Sequence, residues 1–191
     1  MAGTLEKVRV DNGDMPLYVS VPASGGPVPG IVVVHGQSGL ESFIKDTTHM
    51  FAQLGYAAVA PNLYHRDGPD CKDDNPTRKS RLRDPSIIRD IEGAISFLKN
   101  HKQVDGGKLG IVGFCMGGRL VYLMSAASKD FKAGVLFYGS GTMVPFGAGP
   151  SPFERTSEIS CPIQGHFGAV FSQSDDATPR LGLPYLAAGQ A

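Results

Sequence analysis

The chain of 191 residues predicts a doubly wound, mostly parallel α/β sheet preceded by an N-terminal antiparallel hairpin. Three observations carry this. Short, continuous apolar runs at Ile31–Val34, Tyr56–Ala60, Leu109–Val112 and Ala133–Tyr138 suit strands buried on both faces. Helix-period stretches separate them, and strands alternating with helices give a parallel sheet with its site at the strands' carboxyl ends. The opening residues instead alternate, at Leu5, Val8 and Val10 and again over Leu17–Val21, around the turn cluster Asp11-Asn12-Gly13-Asp14.

Each later element has its own signal. Ile44, Thr48, Phe51 and Leu54 fall on one helical face, and Gly55 is placed to cap that helix. Residues 62–83 are rich in charge and proline without period, and read as a loop too long for a mere connection, of the kind that is functional or disordered. Asp84-Pro85 reads as an N-cap followed by proline at the first helical position. Ile87, Ile88, Ile91, Ile95 and Leu98 give the next helix its stripe. Residues 139–160 form a Gly- and Pro-rich loop, and Cys161–Phe167 a last short strand.

Composition narrows the function. Apolar residues make up 41%, enough for one sizeable core, and the formal net charge is zero, so nothing points to nucleic acid or to an anionic membrane. Three widely spaced cysteines, Cys71, Cys115 and Cys161, make neither a disulfide framework nor a zinc site. With no signal-like N-terminus and no bilayer-length apolar run, they predict a soluble, cytoplasmic protein. Oligomeric state is not readable.

The chemistry centres on Gly113-Phe114-Cys115-Met116-Gly117-Gly118. A strand leads in and a helix leads out, which is the layout of a nucleophile elbow. A cysteine at the apex would be exposed at a helix N-terminus, a setting that lowers a thiol's pKa. The competing reading is a glycine-rich turn holding a small core cysteine.

Four stretches together resemble the dienelactone hydrolase family of the α/β-hydrolase fold. They are Val32-Val33-Val34-His35; Gly55-Tyr56 through Ala60-Pro61-Asn62-Leu63-Tyr64; the Gly113–Gly118 turn; and Pro162-Ile163-Gln164-Gly165-His166-Phe167-Gly168. The resemblance implies an esterase without metal or organic cofactor that hydrolyses small lactones or carboxylic esters, as carboxymethylenebutenolidases do. Cys115 matches the family nucleophile. The backbone N–H groups of Gln37 and Met116 would form the oxyanion hole.

The sequence also departs from the family. Gly36 stands where the family often carries a Glu beside the thiol. Phe171 stands at the triad-acid position, with Asp175 and Asp176 out of register, and the only histidine after Cys115 is His166. Residues 169–191 offer no candidate for the family's last strand and helix. They read as a non-family tail following a 1–168 domain, of the kind a frame change produces. His166 is then the remaining candidate base, although a strand-end packing role suits it better. The alternative function is a catalytically dead relative that binds a small molecule or a partner.

Other candidates have plainer readings beside their functional ones. Arg78, Arg81 and Arg83 could meet a substrate carboxylate, or could form a solvated cluster with Asp73, Asp74 and Asp84. Arg119 is a candidate anion contact. His35 reads as a hydrogen-bonded structural residue, and His49, His65 and His101 as surface residues.

Overall fold

The computed structural model describes residues 3–23 and 25–168. They form a seven-stranded sheet in the order β1-β2-β4-β3-β5-β6-β7. The strands are β1 (Thr4–Val10), β2 (Gly13–Ser20), β3 (Val28–Val34), β4 (Ala57–Pro61), β5 (Val104–Phe114), β6 (Phe131–Phe137) and β7 (Ile163–His166). The helices are α1 (Ser42–Gln53), α2 (Asn75–Ser80), α3 (Asp84–Asn100) and α4 (Met116–Ala127). β1 and β2 form the expected hairpin, β2 runs antiparallel to β4, and the remaining pairs are parallel.

Side-chain alternation sorts the strands onto two cores. Val32, Val34, Val59, Ile111 and Leu136 point to the face covered by α3 and α4. Val33, Ala58, Ala60 and Val112 point to the face covered by α1. Both faces are apolar, which is why these strands read as continuous runs rather than alternating ones.

The chain leaves β3 through α1 to reach β4 on one side. It then returns over the opposite face through α3 to β5 on the other side. The carboxyl ends of β3 and β5 therefore flank the point where the winding reverses, which is where such sheets open a crevice. Val34 is in register with Gly113, so the loop after β3 and the turn after β5 emerge side by side.

Several local expectations change. Residues 62–83 are not structureless: they hold a 3₁₀ turn at His65–Asp67 and the short helix α2. The Asp74 carboxylate accepts the Thr77 N–H at 2.9 Å and caps α2. Asp84 does not cap α3; Arg83 is the N-cap, and the Asp84 carboxylate serves a buried ion pair instead. Leu54 leaves the α1 stripe and is 64% exposed, while Ile44, Thr47, Thr48 and Ala52 are buried. The loop over 139–160 contains a 3₁₀ helix at Phe153–Glu158. The reading of residues 169–191 as a non-family tail lies outside the described residues.

Candidate active site

The turn after β5 is sharp and strained. Cys115 has φ 56° and ψ −121°, a backbone region that non-glycine residues rarely occupy and that costs about 1–3 kcal/mol. Its neighbours must be glycine for steric reasons. A Cβ on Gly117 would lie 2.2 Å from the Val34 carbonyl oxygen, and one on Gly113 would lie 2.2 Å from the Gly117 carbonyl oxygen. A Cβ on Gly118 would also come within 2.9 Å of the backbone of Gly139 and Phe137. These contacts let α4 start directly above β5 and leave Cys115 exposed at the apex. The Cys115 N–H donates to the Phe137 carbonyl at 3.0 Å, tying the apex to the end of β6.

The loop His35–Gly39 faces this apex. A Cβ on Gly36 would sit 3.5 Å from the Cys115 Cβ, ordinary contact distance, so a side chain at this position would border the nucleophile's side chain. The N–H groups of Gln37 and Met116 make no hydrogen bond among the described residues, so both are free to donate. The same loop is braced from beneath. The Tyr64 hydroxyl donates to the Gln37 carbonyl at 3.0 Å and touches the Met116 sulfur at 4.0 Å. Burial pushes the Tyr64 phenol up to about 12, so it stays a donor. The Arg78 guanidinium lies 4.2 Å from the centre of the Tyr64 ring, and Asp67 holds that guanidinium.

His35 is fully buried. Its Nε2 accepts the Leu63 N–H at 3.1 Å, which leaves Nδ1 as the protonated nitrogen, donating to the Gly36 carbonyl at 2.6 Å. Desolvation is the main cause that holds its pKa down at about 4, so the ring is neutral near pH 7.

A cleft of about 410 Å³ opens beside this loop, lined by Gln37, Pro76, Lys79, Ser80, Leu82, Arg83, Pro145, Phe146 and Gly147. Cys115 lies outside that lining, and Gln37 is the residue that joins the cleft to the apex. Among the described residues neither Lys79 nor Arg83 has a carboxylate partner; Arg83 donates to the Ser80 and Leu82 carbonyls.

The remaining candidates separate. Arg78 and Arg81 are paired with Asp67, and Arg81 also with Asp73, so they form the salt cluster rather than a free anion site. Asp67, the acid at its centre, was not predicted. Arg119 is no anion contact: its side chain is 1% exposed and grips Asp84 at 2.7 and 2.9 Å. His65 is not on the surface but buried against Asp90 at 3.2 Å. His166 is exposed at the end of β7, its ring stacked on Phe137 with centres 4.7 Å apart. Among the described residues no hydrogen bond joins it to Cys115. No group of three His, Cys, Asp or Glu side chains is placed there to hold a metal ion. Among the described residues no helix is long and apolar enough to cross a membrane.

Comparison with known proteins bears on this geometry. The model of the "Dienelactone hydrolase family" matches residues 15–177. A "Putative carboxymethylenebutenolidase" of Methylorubrum extorquens is 34% identical over 174 residues, covering 86% of this chain and 58% of that protein. The "Carboxymethylenebutenolidase" of Pseudomonas putida is 30% identical over 159 residues, covering 78% and 63%. The chain thus spans roughly three fifths of the length of these relatives. Among solved structures, the "Putative Dienelactone Hydrolase" from Klebsiella pneumoniae superposes with a TM-score of 0.76 at 30% identity, over 85% of this chain and 70% of that one.

Proposed function

The chain belongs to the dienelactone hydrolase family, and from that premise we propose that it cleaves small lactones or carboxylic esters by acyl transfer to Cys115. The observation that carries the proposal is the strained, exposed Cys115 apex beside the Gln37 and Met116 N–H groups, which have no hydrogen-bond partner among the described residues. The Cys115 thiolate attacks the carbonyl carbon and the acyl C–O bond breaks. The alcohol of an ester leaves, or the enol or alcohol oxygen of a lactone is freed by ring opening and stays tethered; either takes a proton from solvent, and the acyl group stays on sulfur as a thioester. The Gln37 and Met116 N–H groups take the charge that develops on the carbonyl oxygen. Preorganised donors of this kind act on the transition state without reorganising, which is why braced loops suit the role.

The cleft beside Gln37 supports a substrate class. Phe146, Pro145 and Leu82 offer apolar walls, while Lys79 and Arg83 offer two cations without carboxylate partners among the described residues. An ester or lactone bearing a carboxylate matches this lining, with its carbonyl directed toward Cys115.

Hydrolysis of the thioester needs an activated water. His166 is the candidate base, but its ring is packed face-on against Phe137, so acylation should outrun release. With p-nitrophenyl acetate the expected result is a burst of about one equivalent of nitrophenolate followed by a slow phase. Mass spectrometry should find the acetyl group on Cys115, and Cys115→Ser should remove the burst. A burst that survives in Cys115→Ser overturns the proposal. Sustained turnover that His166→Ala abolishes would make His166 the base and replace the slow-release part. A chain that binds such esters without acylation would support the binding-protein alternative.

A further inference from the structure

We infer that His35 is a positioning residue whose imidazole aims the Gln37 N–H into the oxyanion hole by holding the other end of the same peptide unit. The inference rests on Cys115 and Gln37 acting as proposed above.

The Gly36–Gln37 peptide is trans, as are all the described peptide bonds. In a planar trans peptide the C=O of one residue and the N–H of the next point in opposite directions, so fixing one fixes the other. His35 Nδ1–H holds the Gly36 carbonyl at 2.6 Å. The Gln37 N–H must then point away from the ring. The ring itself cannot turn, because its Nε2 accepts the Leu63 N–H at 3.1 Å from the loop after β4. Tyr64 packs against it, with ring centres 5.2 Å apart, and holds the following carbonyl, that of Gln37. The loop is thus fixed at two successive carbonyls by two buried side chains. A neutral imidazole with its proton on Nδ1 satisfies both neighbours, whereas an imidazolium would direct a second N–H at the Leu63 N–H. Desolvation keeps the ring neutral at ordinary pH.

The test uses two variants that split the imidazole's two bonds. The side-chain amide of His35→Asn reaches the Nδ1 position and can donate to Gly36. His35→Gln reaches the Nε2 position and can accept from Leu63, but leaves the Gly36 carbonyl unheld. Alkylation of Cys115 by iodoacetamide forms no oxyanion, whereas acetylation by p-nitrophenyl acetate does. For His35→Gln the acetylation rate should fall about 10²-fold, with the alkylation rate unchanged. His35→Asn should recover most of that loss. A wild-type burst together with equal acetylation in His35→Gln overturns this inference alone. So does a parallel loss of both rates, or an Asn variant no better than Gln. Absence of a burst from Cys115 in the unaltered protein overturns the functional reading as well. Histidine ¹⁵N NMR of the unaltered chain gives a check that needs no variant. It should show His35 neutral with its proton on Nδ1, and the opposite tautomer or a charged ring would overturn the inference.

Discussion

Replacing Arg119 with methionine should lower folding stability by about 3–5 kcal/mol, the usual cost of removing one partner from a buried ion pair. The reason is local and countable. Arg119 bonds both Asp84 oxygens, at 2.7 and 2.9 Å, with its own side chain 1% exposed and that of Asp84 8% exposed. It also donates to the carbonyls of Gly141 at 3.1 Å and Val144 at 2.7 Å. Its guanidinium lies 3.8 Å from the centre of the Phe146 ring. Methionine keeps the bulk but strands the carboxylate, to which, among the described residues, only the Phe146 N–H would still donate. For a chain of this size each kcal/mol moves the melting temperature by about 2–4 °C, so a drop of roughly 6–20 °C should appear. Urea unfolding followed by circular dichroism would measure the loss. The double variant Arg119→Met with Asp84→Met should be more stable than Arg119→Met alone, because replacing both members of such a pair removes the stranded charge. The reasoning fails if Arg119→Met stays within about 1 kcal/mol of the unaltered chain, or if the two substitutions simply add.

Two further outcomes follow from the site. Burial lowers the His35 pKa from 6.5 to about 4, so between those values the unfolded chain binds more protons than the folded one. Stability should therefore fall as pH drops from about 6.5 to about 4, by about 3 kcal/mol from this residue, with no further loss from it below that window; a urea midpoint flat across the window in the unaltered chain would refute this. Limiting iodoacetamide should label Cys115 first, because burial raises the pKa of the Cys161 thiol and Cys71 donates its proton toward Asp73; peptide mapping that found Cys115 slowest would sink the elbow assignment.

The parts of the fold that sequence revealed are those specified locally. Val32–Val34 and Ala57–Ala60 are apolar at every position because both faces of their strands are covered, and a run without alternation says so directly. The α3 stripe was legible because Ile87, Ile91, Ile95 and Leu98 all face one core at helical spacing. The six-residue helix α2 was not, since it buries no residue and has no stripe to read. It is held instead by its cap, by Arg78 over Tyr64, and by Arg81 on Asp67. The run Asp74-Asn75-Pro76 did carry a usable signal: a capping residue followed by a proline in the first turn. Asp84 failed for the opposite reason. Its local pattern is that of an N-cap, but Arg119, 35 residues along the chain, takes the carboxylate. Capping rules assume that the side chain is free.

The same division runs through the candidate site. The Cys115 apex could be read from six consecutive residues because its constraints are steric and short in range: no side chain fits at Gly113 or Gly117. The support beneath it could not. His35, Leu63 and Tyr64 lie on the loops after two different strands, and only the β3–β4 pairing brings them together. From the sequence His35 was legible as a hydrogen-bonded residue at the end of a strand, but neither of its partners was. That difference matters for how the site can vary. A Cβ added at Gly36 would lie 3.5 Å from the Cys115 Cβ, so a side chain there would change what stands beside the thiol. His35 never reaches the thiol and acts only on the direction of a backbone donor. The two adjacent positions therefore govern separate properties: Gly36 the resting environment of the nucleophile, His35 the fit of the oxyanion hole. Substitution at Gly36 should shift thiol alkylation and ester acylation together, whereas substitution at His35 should separate them.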